Sequence, residues 1–396
     1  MPSQERATAL PSLFSVAEHP NSNGASHAAL APRITVLVTL YDCAREVPDL
    51  VEMILAQRHP DYGERQNWMR TIFIEDGSGD ATLQVLERTL AAKGSPPDIQ
   101  VRANAKNLGL SASLNAALRD CETEYVLTCQ CDCRFGSPAY VAEMLALLES
   151  RPNAGAITGQ PMANQPIHFK EKINLVENIQ DILPSPALTG DDRLRELVYT
   201  GFAEGRADGF RLDAMRAAGY YDTTLRVSGE DQVLSGRFRE LGYDVYQAPG
   251  LGFFMSLSSQ QDSVRGMLRK QYIWGKTHPY ILLRARETLS GVFGRKAGSN
   301  RRLRVLLRAS QAASVLAYAG AAAALLAKKP EWALVILAGV FLLKALIFQK
   351  HIRRVKMNAA EIAYLAVLQP AFDLIYVLGL ARGLVSLVKR TPGENI

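Results

Sequence analysis

The chain has 396 residues, 48% of them hydrophobic and 21% charged, with 45 Lys+Arg against 39 Asp+Glu. That length can bury one large or two medium cores, and the composition excludes a disordered, collagenous or disulfide-stapled chain. The net charge of +6 divides unevenly: residues 1–263 sum to −11 and residues 264–396 to +17. The same last third holds the longest apolar runs, so its basicity points to anionic lipid rather than to nucleic acid.

Residues 1–32 are rich in Ser, Pro, Asn and Ala and lack the apolar core of a signal peptide, which reads as a flexible tail. Ile34–Leu40 (ITVLVTL) is a continuous β-branched and apolar run, as a strand buried on both faces requires. A helical period over 46–58, a strand at 71–74 ending in EDGSGD, and a helix over 81–93 follow. Next come a short strand at 99–101, a helix at 110–120, a strand at 125–129, a helix at 138–150 and a strand at 155–158. Strand and helix in turn with short polar connections predict an α/β fold with a mostly parallel sheet covered on both faces. In such sheets ligands bind beyond the carboxyl ends of the strands. The residues there are Thr39-Leu40-Tyr41-Asp42, Glu75-Asp76-Gly77-Ser78 and Gln130-Cys131-Asp132.

Three groups could carry chemistry, and each has a plainer explanation. Asp76 can accept hydrogen bonds from a ligand, or can simply make the turn with Ser78. Asp132 is a hard oxygen donor suited to Mg2+ or Mn2+ bridging substrate phosphates. The alternating Cys129, Cys131 and Cys133 lack zinc spacing, and with Cys43 and Cys121 they read as reduced, core-packed thiols of a cytosolic compartment. Glu230-Asp231 opens a helical stretch, where a carboxylate can cap the helix or stand as a general base at a pocket mouth.

In combination and in order these segments are more specific. ITVLVTLYDCAREV, IFIEDGSGDAT, NLGLSASLNAAL, EYVLTCQCDCRF, GRADGFRLDAMRAAGYYD and GEDQVLSGRFRELGYDV span roughly residues 33–250. Together they resemble the family 2 glycosyltransferases, the GT-A nucleotide-sugar enzymes. The resemblance implies a nucleotide-base pocket at Thr39, Tyr41 and Asp76, a turn near the nucleotide at Gly109, and a recurrent Asn at Asn115. It implies that Asp132, the second carboxylate of a D-x-D motif, ligates Mg2+ or Mn2+ and through it the donor diphosphate. It implies that Asp231, with Glu230 beside it, deprotonates the acceptor hydroxyl in an inverting transfer. Gln130 departs from the pattern by replacing the first D-x-D carboxylate, which mainly contacts the ribose; an amide can still hydrogen-bond a hydroxyl.

Beyond residue 250 the character changes. Residues 263–289 mix aromatics with Lys and Arg, as an amphipathic helix on anionic lipid or a basic clamp on the donor diphosphate would. Q-Y-I-W-G at 271–275 faintly resembles the Q-x-x-R-W motif of processive members without its Arg, and Trp274 is counted among the substrate-pocket candidates; it could equally anchor at the membrane interface. Three apolar stretches follow at 309–327, 332–348 and 362–388, the last interrupted by Pro370, Asp373 and Arg382 and readable as a broken hairpin, a re-entrant pair or a tilted span. The basic loop 349–357 should face the cytoplasm. Lys328-Lys329 would then fall on the far side, a conflict that a shallow hairpin resolves.

The expected organisation is a tail over 1–32, a GT-A domain over 33–255, a basic interface segment over 256–303 and membrane-embedded helices over 304–390. The expected activity is metal-dependent sugar transfer (hexosyl or related) from a nucleotide-diphosphate sugar to a lipid-linked or membrane-proximal glycan at the cytoplasmic face of the cell membrane. Few helices, and none before the catalytic part, argue against a polysaccharide-secreting channel. A processive synthase and a catalytically weak nucleotide-sugar-binding subunit are the alternatives.

Overall fold

The computed structural model describes residues 31–162, 167–177, 196–225, 228–255, 263–284 and 299–389; nearly all of the expected N-terminal tail lies outside them. The first half follows the expected alternation closely: β1 (Ile34–Leu40), α1 (Val47–Leu55), β2 (Met69–Glu75), α2 (Thr82–Ala92), β3 (Ile99–Ala103), α3 (Leu110–Arg119), β4 (Tyr125–Gln130), β5 (Cys133–Phe135), α4 (Tyr140–Glu149) and β6 (Ala154–Met162). Then come α5 (Phe169–Glu177), β7 (Val198–Tyr199), β8 (Ala207–Arg211), α6 (Leu212–Ala217), α7 (Glu230–Glu240) and β9 (Asp244–Met255). The C-terminal part is helical: α8 (Val264–Arg284), α9 (Ser299–Leu326), α10 (Pro330–Arg354) and α11 (Ala359–Lys389).

All nine strands form one sheet in the order β3-β2-β1-β4-β8-β6-β9-β5, with β7 on β9. Its first half is parallel, Thr39 of β1 standing level with Ile74 of β2 and Gln130 of β4. The second half is mixed, because β8 enters antiparallel between β4 and β6. Period-two alternation divides the core: Ile34, Val36, Val38 and Leu40 pack with Leu50, Ile54, Leu86 and Tyr140 on one face. Leu37 turns to the other face, with Leu114, Leu118, Phe210, Met215 and Phe238.

The connection between β1 and the turn after β2 is a polar clasp. Asp42, at a positive φ of 47° that Asp tolerates, accepts the Gly79 N–H at 2.8 Å, and its own N–H donates to Ser78 Oγ at 3.0 Å. Gly77 has a φ of 65°, and any Cβ there would overlap the backbone of Lys106, so this turn position requires glycine.

α9, α10 and α11 are each long and apolar enough to cross a membrane. Residues 362–388 belong to one continuous helix through Pro370, which corrects the broken-hairpin reading. Its 31 residues measure about 46 Å at 1.5 Å per residue. α11 has partners outside the helical hairpin along its whole length. Near its start Glu361 meets Lys172 of α5 at 3.0 Å; near its end Leu387 packs on Leu225, Val233 and Tyr280. The opposite side leaves Val367, Leu374, Leu378, Val385 and Val388 exposed.

Candidate functional site

The carboxyl ends of β1, β2 and β4 lie together at one edge of the sheet, the candidate substrate cleft, and the loop Glu204-Gly205-Arg206 is hydrogen-bonded to the end of β4. That loop is built from several hydrogen bonds. Gln130 donates its backbone N–H to Arg206 O at 3.0 Å and its side-chain Nε2 to Gly205 O at 2.5 Å. Asp208, wholly buried at the start of β8, accepts the N–H groups of Gly205 and Arg206 at 2.5 and 3.2 Å through Oδ2. Its Oδ1 accepts Thr158 Oγ1 at 2.5 Å. Burial pushes the Asp208 carboxyl up to about 7 despite these bonds.

Two of the sequence-nominated carboxylates flank this loop. Asp132, half-buried just past β4, holds Arg206 Nη1 at 3.1 Å through Oδ2, while Oδ1 faces only the Cys133 thiol at 3.5 Å. Asp231, on the first turn of α7, stands beside Gly205: a Cβ on that glycine would lie 3.5 Å from the Cβ of Asp231. Its Oδ1 accepts the Gln232 N–H at 2.8 Å. Burial, then the neighbouring Glu230, push the Asp231 carboxyl well above the usual carboxylate range. Burial raises Glu230 as well, and its Oε2 is buried without a partner. A carboxyl poised upward in pKa at a cleft wall suits a general base working near neutral pH.

On the other side of the cleft stand Thr39, half-buried with only a long 3.5 Å bond to Cys129 O, and Tyr41, 42% exposed. Asp76 is turned inward. Its Oδ1 accepts Asn104 Nδ2, the Leu108 N–H and Ser113 Oγ at 2.9, 2.9 and 2.7 Å, and its Oδ2 accepts the Gly109 N–H at 2.9 Å. Asp76 therefore builds the turn into α3, whose N-cap is Gly109 at a φ of 89°. Asn115, buried at 3%, donates to Tyr221 O at 2.9 Å and accepts the Tyr221 N–H at 3.0 Å, so its amide staples α3 to the segment before α7.

Trp274 stands apart from the base side. On α8 its ring is flanked by Lys270 Nζ at 5.1 Å and Arg308 Cζ at 5.0 Å. Lys270 lies within electrostatic reach of Arg206 and Asp132; burial, then the Arg206 cation, lower its pKa to about 7. It has no hydrogen bond or ion pair to any described residue. Arg304 of α9 meets Glu204 at 3.4 Å, which ties the loop to the apolar helices.

Glu204, Arg206, Asp208 and Lys270 are the site residues that sequence reading missed. The first three lie between the D-x-D and E-D segments, in EGRAD, of which only GRAD carried a signal, as part of a longer match. Among the described residues no group of three or more His, Cys, Asp or Glu side chains is arranged to hold a metal ion.

Residues 35–205 match the family model "Glycosyl transferase family 2". EpsE of Bacillus subtilis (strain 168), described as a glycosyltransferase, is 30% identical over 95 residues, which are 24% of this chain and 31% of EpsE. The match thus spans about a third of that relative's length. Among solved structures, the mannosyltransferase PcManGT from Pyrobaculum calidifontis, in complex with GDP-Man and Mn2+, aligns over 90% of this chain and 89% of its own with a TM-score of 0.51. At 15% identity that likeness is one of fold. Residues 35–205 are thus similar to a glycosyltransferase family 2 domain, the fold is GT-A-like, and three long apolar helices follow.

Proposed function

We propose that this protein is an inverting glycosyltransferase. It moves a sugar from a nucleotide-diphosphate sugar to a hydroxyl of a lipid-linked or membrane-proximal glycan at the cytoplasmic face of the cell membrane. The observation that carries the reading is the Glu204–Arg206 loop, which has Asp132 on one side and Asp231 on the other. Residues 33–255 form the catalytic unit, 256–303 the basic interface segment and 304–390 the membrane-embedded helices.

In this reading Thr39 and Tyr41 receive the base, with Asp76 and Gly109 shaping that wall, and Gln130 is near the ribose. Asp231 takes the proton of the acceptor hydroxyl while the sugar leaves the diphosphate, with Glu230 beside it holding the local pKa up. No covalent intermediate is needed, so the anomeric centre inverts. Trp274 lines the acceptor side.

Mg2+ or Mn2+ fits at Asp132. Among the described residues its Oδ1 meets a weak thiol donor alone, and one carboxylate completed by diphosphate oxygens and water is a sufficient set for such an ion. When bound, the cation supplies charge stabilisation to the leaving diphosphate. The mannosyltransferase of like fold was solved with GDP-Man and Mn2+, which makes GDP-mannose the first donor to try. Membrane residence is supported by the three apolar helices, and a cytoplasmic catalytic face by the basic end of α10.

The test is a thermal-shift screen of the full chain in detergent against nucleotide-sugars, with and without Mn2+ or Mg2+, followed by transfer assays with the stabilising donor. Stabilisation by at least one nucleotide-sugar and formation of an inverted product are expected. A chain that neither binds nor turns over any of them would sink the reading.

A further inference from the structure

The contact between Asp132 and Arg206 has a consequence for the order of binding. Arg206 cannot drift freely. Its backbone is fixed through Gln130 N–H on its carbonyl and Asp208 on its amide, and its guanidinium is only 19% exposed. Among the described residues its ion-pair partner is Asp132, on the oxygen opposite the thiol-facing one. Asp132 thus already has a protein cation as its partner.

We propose that Arg206 is the resident counter-ion of Asp132, and that it turns to the donor diphosphate when a divalent cation takes that carboxylate. The inference rests on the reading of Asp132 as part of a nucleotide-sugar site. A divalent ion arriving alone must compete with Arg206 for the carboxylate and sits beside a like charge. An ion arriving with a diphosphate meets neither obstacle, because phosphate oxygens give the guanidinium fork a matching partner. Metal and nucleotide therefore bind as a unit, and by reciprocity each raises the other's affinity by the same factor.

The experiment uses the full chain in detergent, with Mn2+ followed by the paramagnetic signal of the free ion, alone and with UDP, GDP, uridine or guanosine. In the wild type the favoured nucleoside diphosphate should tighten Mn2+ at least tenfold. In Arg206→Gln, Mn2+ alone should bind at least fivefold tighter, while the gain from the nucleoside diphosphate shrinks below threefold. Arg206→Lys should fall between, and it decides the question if the glutamine variant does not fold. An Arg206→Gln protein that binds Mn2+ alone no tighter than wild type, or keeps the full coupling, overturns the proposal. If wild type binds no nucleotide or nucleoside at all, the nucleotide-sugar reading fails, and the Mn2+-alone comparison still decides whether Arg206 guards Asp132.

Discussion

Gly275 of α8 and Gly379 of α11 interleave across a backbone-to-backbone contact. A Cβ on Gly275 would overlap the Tyr376 carbonyl, and one on Gly379 would overlap the Tyr272 carbonyl. One turn further Gly383 meets Lys276 O, so the two helices run parallel with Tyr272 near Gly379 and Lys276 near Gly383. The Gly-x-x-x-Gly spacing allows this approach, as between helices in membranes. Through it α11 holds α8, and α8 carries Lys270 and Trp274 to the cleft.

Gly379→Leu should therefore separate α8 from α11. We expect a loss of about 1–3 kcal/mol or more from overpacking, seen as a lower melting temperature, with transfer falling at least tenfold. Gly339→Ala, on α10 with open space around it, is the control and should leave both unchanged. Equal effects of the two substitutions would refute the docking role.

Asp231→Asn keeps the shape of the α7 N-terminus and removes the proton acceptor. Transfer should fall by about 100-fold or more, while the nucleoside diphosphate still raises the melting temperature. In the wild type the proton must leave a carboxyl whose pKa burial and Glu230 hold high. The rate should thus rise with pH through a midpoint above the ordinary carboxylate value of about 4. A rate already maximal at pH 5 would contradict this.

Glu143 of α4 sits buried beneath the sheet, with Oε1 unpartnered and its pKa raised by burial to about 7. Unfolded, it ionises near the usual value of about 4.5, so between these values the folded state holds a proton that the unfolded state has released. Its contribution is complete below about 4.5 and lost as the pH rises through about 7. Glu143→Gln should flatten that slope and leave the protein about 1–3 kcal/mol more stable than wild type at pH 8. Parallel melting-temperature curves for the two from pH 4 to 8 would disprove it.

Lys344 of α10 and Asp373 of α11 form an ion pair at 2.8 Å, at 5% and 0% exposure, within the apolar helices. Tyr318 and Gln369 also donate to Asp373, at 3.1 and 3.0 Å. Lys344→Met alone leaves a buried carboxylate uncompensated and should cost about 3–5 kcal/mol. Adding Asp373→Leu should recover most of that loss in detergent melting experiments. Additive losses in the double variant would argue that the pair itself is worth more than its desolvation.

The strands and helices of the parallel half were legible because each carries its own period. β1 is apolar at every position since both of its faces are covered, and α1 to α4 show their apolar stripes in sequence. The three apolar helices were legible by composition, since lipid asks little more of a sequence than length and hydropathy. The candidate site was legible where a carboxylate ends a strand or begins a helix, at Asp132 and Asp231. Tertiary structure alone decided what those groups touch. Asp76 turned inward because four donors from the next loop reach it, and Asn115 was consumed by a segment more than a hundred residues away.

The division of charge set out at the start is local arithmetic, and the sequence determined it: an acidic strand-helix part followed by a basic, apolar one. Where the two parts meet was not determined there. Lys270 comes within electrostatic reach of Asp132, and Arg304 reaches Glu204, because α8 and α9 fold back toward that end of the sheet. Period and composition are properties of neighbouring residues. The meeting of a cation on one helix with a carboxylate more than a hundred residues earlier depends on long-range packing, which only the folded chain supplies.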